Sequence, residues 1–293
     1  MDVRDLPRLD FSALPGWLGD RQSGAFDAFR RSALHAAGKP YRTGSLGIDA
    51  GAFEPAFAEA RATRSLDDAG ARAFFERHFL PCSVPGSGGG EGLVTGFYEP
   101  EAEASPARTG RYRFPLHARP HDLVGIDDDD RPDGMDPCFA FARQMPDGSL
   151  AEYWDREEIE TGALAGRGLE IAWLADKVDL FFIHVQGAAR LRMTDGSLRR
   201  VTYAAKSGHR FTGIGRVLAE LGEIPLPDVT MQSIRGWLRD NPARVDEILW
   251  RNRSYIFFRE APVEDPLLGP IAAAKVPLTP GRSVAVDRLL HTF

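Results

Sequence analysis

The chain has 293 residues, 43% hydrophobic and 27% charged, and its 36 basic against 42 acidic side chains leave a formal net charge of −6. That length holds one large or two medium domains with a real core, and the acidic balance excludes the strongly basic face of a general nucleic-acid binder. No run approaches the ~20 apolar residues that cross a bilayer, and two cysteines, Cys82 and Cys138, cannot make a disulfide framework: they leave room for one bridge and read first as two inert thiols.

The start, Met1-Asp2-Val3-Arg4-Asp5-Leu6, lacks the apolar core of a secretory signal. Gly24 to Leu80 is rich in alanine and helix formers. Ala25-Phe26-Asp27-Ala28-Phe29-Arg30-Arg31 and Ala71-Arg72-Ala73-Phe74-Phe75-Glu76-Arg77-His78-Phe79 place apolar residues at helical spacing, which predicts two or three helices. Pro81 stops the last one, and Pro85-Gly86-Ser87-Gly88-Gly89-Gly90 reads as a flexible connection.

From Gly92 to about Arg210 the period shifts towards two, which predicts a compact β domain. Asp195-Gly196 between two alternating runs is a strong hairpin signal, and Pro146-Asp147-Gly148-Ser149 predicts a second hairpin. The run Val178 to Val185 is apolar on both phases and reads as a strand covered on both faces. Helical spacing returns at Ile214 to Leu221 and Met231 to Arg239. Asn241-Pro242 then offers an N-cap and a first-turn proline for a helix over Ala243 to Arg251. Ser254 to Phe258 predicts a strand, and Val276 to Asp287 the opening strands of a further β unit.

Most familiar chemistry is missing. Asp127 to Asp130 is followed by Arg131 and Pro132 where a calcium loop needs oxygen ligands and a glycine, so it reads as a solvated loop. His117 and His121 are four apart, but Pro120 between them prevents one helical face, so no metal site is expected. No Gly-x-Ser-x-Gly elbow and no phosphate-cradling glycine motif occurs.

Three segments remain. Val94-Thr95-Gly96-Phe97-Tyr98-Glu99-Pro100 carries a glycine inside a strand-like stretch, a mark of close approach by a ligand or backbone. His184-Val185-Gln186-Gly187-Ala188-Ala189 ends an apolar run in an amide and small residues, and Tyr203-Ala204-Ala205-Lys206-Ser207-Gly208-His209 is small and glycine-broken. Arg190, Arg192, Arg199, Arg200, Arg210 and Arg216 surround the last. Together they supply tyrosines, an amide, a lysine and exposed backbone, the equipment of a polar groove for a sugar chain carrying carboxylates.

These segments, with Leu174 to Gly187 as a whole and Val276-Pro277-Leu278-Thr279-Pro280-Gly281-Arg282-Ser283-Val284-Ala285-Val286-Asp287, closely resemble in their order the membrane-bound lytic murein transglycosylase A family, from about Phe74 to Phe293. The resemblance implies cleavage of the β-1,4 bond between N-acetylmuramic acid and N-acetylglucosamine without water, leaving a 1,6-anhydro-muramyl end. It implies a mixed, mainly β fold: a double-psi β-barrel domain with N-terminal helices, residues 1–94 and 230–293, and an inserted smaller β-barrel domain, residues 95–229, with the glycan groove between them. Thr95, Gly96, Tyr98, Glu99, Gln186, Gly187, Tyr203, Lys206, Gly208 and His209 are the substrate-binding residues it points to. It implies no metal or cofactor, peptidoglycan glycan strands and cell-wall enzyme complexes as partners, and a periplasmic, outer-membrane-associated location.

The chemistry so implied needs one carboxyl group, which protonates the glycosidic oxygen and then, as carboxylate, takes the proton of the muramyl C6 hydroxyl as that hydroxyl attacks the anomeric carbon. The family carries this acid in an Asp-Thr-Gly-Gly segment, and no such segment occurs in residues 1–293. Asp287 takes a supporting or structural place instead, so the expectation is a chain cut short before its acid, its barrel incomplete at the C-terminal end, with little or no lytic activity alone. A non-catalytic peptidoglycan-binding protein is the alternative, and a hydrolase pairing Glu99 with Asp287 a third.

Overall fold

The computed structural model describes residues 6–41, 48–83, 95–262, 265, 267–271 and 275–285. The chain divides into two compact units, Met1–Tyr98 with Asp265–Phe293, and Glu99–Glu264. The expected domain boundary at residue 229 therefore falls elsewhere: residues 230–264 fold with the second unit.

In the first unit three helices form where alanine-rich helical spacing predicts them: α1 (Gln22–Gly38), α2 (Glu54–Ala62) and α3 (Asp68–His78). Asp67 caps α3 by accepting from the Gly70 amide at 2.7 Å, and the helix closes at His78, just before Pro81. Alanines 33, 60 and 71 are completely buried, so the helices approach closely around Phe26 and Phe74, whose rings meet edge to face at 5.0 Å.

A short antiparallel pair, β1 (Thr95–Gly96) with β11 (Val284–Ala285), joins the two ends of this unit, with Thr95 opposite Ala285 and Gly96 opposite Val284. Arg31 of α1 bonds the Thr279 hydroxyl, and Arg282 pairs with Asp20 at 2.7 Å. Gly269 permits a close crossing, since a Cβ there would lie 2.5 Å from the Phe97 ring. Of the strands expected over Val276 to Asp287, β11 forms. Asp287 and the connection at Pro85 to Gly90 lie outside the described residues.

The second unit is framed by a six-stranded sheet in the order β10-β9-β8-β2-β7-β3, comprising β2 (Glu101–Ser105), β3 (Phe114–His117), β7 (Glu170–Leu174), β8 (Ala188–Met193), β9 (Leu198–Lys206) and β10 (Ile256–Ala261). A three-stranded sheet, β4 (Leu123–Gly125), β5 (Phe141–Gln144) and β6 (Leu150–Ala151), accompanies it. Both predicted hairpins form: Gly196 between β8 and β9 and Gly148 between β5 and β6 take φ of 85° and 86°, which glycine adopts without a Cβ penalty. The acidic run Asp127 to Asp130 is an exposed turn, and Cys82 and Cys138 are unbridged.

This unit also holds helices that a compact β domain does not anticipate. Asp155 and Glu158 form a reciprocal capping box opening α4 (Arg156–Glu158), which widens into a π turn at Ile159–Ala163. The segment read as a doubly covered strand is α5 (Lys177–Gln186), started by the Asp176 carboxylate on two amides and ended by Gly187 at φ 72°. The correction has a physical cause. Leu180 and Ile183 pack into the sheet core, while Phe181 and Phe182 pack against α6 (Ile214–Glu220), α7 (Met231–Asp240) and α8 (Val245–Trp250). A helix between two apolar layers is hydrophobic all round, so both-phase apolarity does not separate it from a buried strand. Asn241 does not cap α8: its side-chain amide donates back to the Trp237 carbonyl at 2.9 Å, and a 3-10 turn, Pro242–Arg244, intervenes.

Candidate functional site

The end of α5 builds the accessible part of the site. His184 points inward and is 3% exposed, whereas Val185 and Gln186 are exposed. Gly187 turns the chain in the left-handed region and accepts the Tyr203 amide at 2.7 Å, so the start of β8 and the middle of β9 lie side by side. The β9–β10 register shifts between Phe257 and Phe258, opposite Ala204. Next to that irregularity Tyr203 stands 42% exposed while its neighbours Val201 and Ala205 are buried, the re-aiming that bulges produce. Partial burial of the Tyr203 ring pushes its hydroxyl above the ordinary tyrosine value, so it stays a hydrogen-bond donor. The result is a shelf: an aromatic face, a primary amide and, between them, a residue with no side chain.

The other expected site residues separate. Lys206, half-buried, closes β9 opposite Ile256. Gly208 is internal, with φ 96° and space for no Cβ, which would fall 2.3 Å from the Phe139 ring and 2.9 Å from the Phe141 carbonyl. His209 is buried, its Nε2 2.7 Å from the Tyr153 carbonyl and its ring edge-on to Phe139. Both have packing roles. Tyr98, 52% exposed, and Gly96 belong to the first unit, as does Thr95, whose described role is the β1–β11 pairing.

Glu99 is a clamp. Its carboxylate is 4% exposed and accepts Arg200 Nε at 2.8 Å and Nη2 at 3.1 Å, with Arg190 Nε at 2.8 Å. Two guanidiniums on adjacent strands saturate it, which ties the entry of β2 to β8 and β9. The expected basic cluster is likewise spent in ion pairs: Arg192 with Glu101, Arg199 with Glu260, Arg210 with Asp136 and Arg216 with Glu220. It is a set of local pairs and not a positive face.

Beneath α5 lies a polar cluster that sequence reasoning misses. Arg156, wholly buried, donates to the carbonyls of Asn252 and Ser254 at 2.9 and 2.7 Å and to Glu160 at 3.0 Å, and it faces His184 Nδ1 at 3.1 Å. Glu160 also meets Lys177 at 2.8 Å and accepts Trp250 Nε1 at 2.9 Å. Burial and the neighbouring guanidinium hold His184 well below the ordinary histidine value. The signal available in the sequence was the capping box Asp155-Arg156-Glu157-Glu158, which marks the helix start but not its charge's destination.

A family model described as the MltA specific insert domain matches residues 93–259. The chain superposes on a membrane-bound lytic murein transglycosylase from Agrobacterium tumefaciens with a TM-score of 0.85 and 48% identity, covering 98% of this chain and 78% of that one. It is 32% identical to membrane-bound lytic murein transglycosylase A of Escherichia coli strain K12 over 199 residues, 66% of this chain and 45% of that protein, so it spans about half the length of the curated relatives it matches. Escherichia coli MltA solved with bound chitohexaose superposes with a TM-score of 0.63 at 25% identity, covering 97% of this chain and 73% of that one.

Proposed function

The chain belongs to the MltA family, and on that footing we propose that it serves a peptidoglycan lytic transglycosylase, holding glycan strands for cleavage of the N-acetylmuramic acid–N-acetylglucosamine bond to 1,6-anhydro ends. The observation that carries this reading is the shelf of Gln186, Gly187 and Tyr203. A sugar ring stacks on an exposed tyrosine face, an amide side chain matches an N-acetyl group, and a glycine lets the ring approach the backbone. The chitohexaose carried by the Escherichia coli relative is a chain of N-acetylated sugars of that kind. In the same reading the β1–β11 pair of the first unit is part of a double-psi barrel, and the protein works in the periplasm at the outer membrane.

Within this chain the residues bind and orient, while no carboxyl group among the described residues is assigned the acid-base step. Glu99, fixed between Arg190 and Arg200, has no free oxygen to act as a hydrolytic acid or base, which weighs against the carboxylate-pair hydrolase. Because the sequence holds no Asp-Thr-Gly-Gly segment, the 293-residue chain is expected to bind purified peptidoglycan and to release anhydro-muropeptides slowly if at all. Chromatography of digests, beside a pull-down, tests both halves. Release of reducing ends would replace the transglycosylase with a hydrolase, and failure to bind would remove the proposal.

A further inference from the structure

A cavity of about 330 Å³ lies wholly within the second unit, between α5, β3 and the π turn. Phe114, Pro115, Ile159 and Leu180 make its walls apolar, and Arg108, Arg113 and Lys177 line it with positive charge. The acid in the wall, Glu160, is compensated by Arg156, Lys177 and Trp250. Arg108 and Arg113 are exposed and pair with no carboxylate among the described residues. They rest on aromatic faces instead, Arg108 on Trp173 at 5.9 Å and Arg113 on Phe114 at 5.5 Å. The cavity therefore carries a net positive charge that the protein leaves uncompensated.

One polar group in its wall sharpens the chemistry. His117 is 4% exposed, and its Nδ1 lies 2.8 Å from the Tyr255 hydroxyl. Burial pushes His117 down to about 4, against the smaller upward pull of Glu170 and Glu160, so the ring is neutral at pH 7 and carries one proton. Burial pushes the Tyr255 hydroxyl upward, so it keeps its proton. That hydroxyl has no other partner among the described residues, and one of the two arrangements open to the pair has it donate to Nδ1. The imidazole proton then sits on Nε2, for which no described residue is an acceptor.

We propose that this cavity binds a small aliphatic carboxylate, the acid oxygens taken by Arg108, Arg113 and the His117 Nε2–H and the body resting on Phe114, Pro115 and Leu180. Planar guanidiniums suit a carboxylate, and apolar walls of this size suit a dipeptide-sized body and not a bare hydrated ion. Two sources share the chemistry, the free C-terminus of a short peptide and the lactyl acid of an amino sugar. The site stands whether or not the transglycosylase reading holds.

The test is a titration of the 293-residue chain followed by its tryptophan indole N–H resonances, since Trp173 underlies Arg108 and Trp250 bonds Glu160. Acetyl-Ala-Ala and N-acetylmuramic acid are the acid probes, acetyl-Ala-Ala amide and N-acetylglucosamine their uncharged controls, and inorganic phosphate the bare anion. At least one acid should saturate with a Kd of about 1 mM, with its control and phosphate at least about tenfold weaker. Which acid saturates identifies the source. The double variant R108Q/R113Q, altered at exposed positions, should weaken that acid about tenfold while its unfolding midpoint stays in place. H117F should also weaken it. Equal binding of an acid and its control, saturation by phosphate alone, no saturable shift up to about 50 mM, or undiminished affinity in R108Q/R113Q would overturn the proposal.

Discussion

His184 and Gln186 are two residues apart on α5, yet one is enclosed with Arg156, Tyr255 and Phe258 and the other is open to solvent. The enclosed region is rich in charge and hydrogen bonds, which is what sequence reading associates with chemistry. The shelf is poorer, with one amide, one phenol and a glycine. The difference teaches that polarity in a motif marks two unlike demands. Inside, an unmatched polar atom costs free energy, and in the described cluster around Arg156 and Glu160 only His184 Nε2 stands without a partner. Outside, it is available because nothing in the fold matches it.

Arg156 is the residue on which the enclosed region depends most. Arg156→Ala leaves Glu160 buried with Lys177 as its remaining cation and frees two carbonyls, so a loss of about 3–5 kcal/mol is expected in urea unfolding. The double change with Glu160→Gln should recover part of that loss. A single-variant loss below about 1 kcal/mol would mean the cluster is not the fold's keystone.

Acidification probes the same region. His117 holds its proton only below about 4 in the folded state, against 6.5 for the ordinary side chain. Between those values the unfolded chain binds the extra proton, so stability is complete above about pH 6.5 and is lost as pH falls towards 4. The slope from His117 alone is at most about 1.4 kcal/mol per pH unit, and about 3 kcal/mol in total. His184 acts in the same direction. Urea midpoints at pH 7.5, 6, 5 and 4 would show the decline, and a flat profile would contradict the buried neutral histidines.

Gly208 comes next. Its positive φ and its contact with Phe139 make Gly208→Ala costly by about 1–3 kcal/mol, whereas Gly196→Ala, with open space around it, costs about 1 kcal/mol through φ alone. Near-equal losses would show that the Phe139 contact relaxes freely.

How far these residues were legible follows from the same physics. The N-terminal helices and both Asp-Gly hairpins were readable, because spacing and turn chemistry are local. α5 was misread because its two faces meet two cores, although Asp176 and Gly187 stood at its ends as cap signals. Glu99, Gly208 and His209 read as ligand groups in sequence because their partners lie about 90, 70 and 56 residues away, at Arg190, Cys138 with Phe139, and Tyr153. Sequence spacing carries no record of such pairings.

The smallest effect on stability is expected at the shelf, where the two regions should part most clearly. Tyr203→Ala removes a ring that is 42% exposed and keeps the strand pairing made by its backbone, and Gln186→Ala removes an exposed amide at a helix end. Each should move the unfolding free energy by no more than about 0.5 kcal/mol. Binding to muropeptides or to chitohexaose should fall about five- to thirtyfold for Tyr203→Ala, the worth of one stacking contact, and less for Gln186→Ala. Tyr203→Phe separates the two properties of that residue: it keeps the stacking face and removes the donor, so binding should return to within about threefold of the unaltered chain. Calorimetry on variants with unchanged urea midpoints would read this order directly. Unaltered affinity in Tyr203→Ala would show that exposure at the end of α5 is incidental, and the glycan site would have to be sought elsewhere.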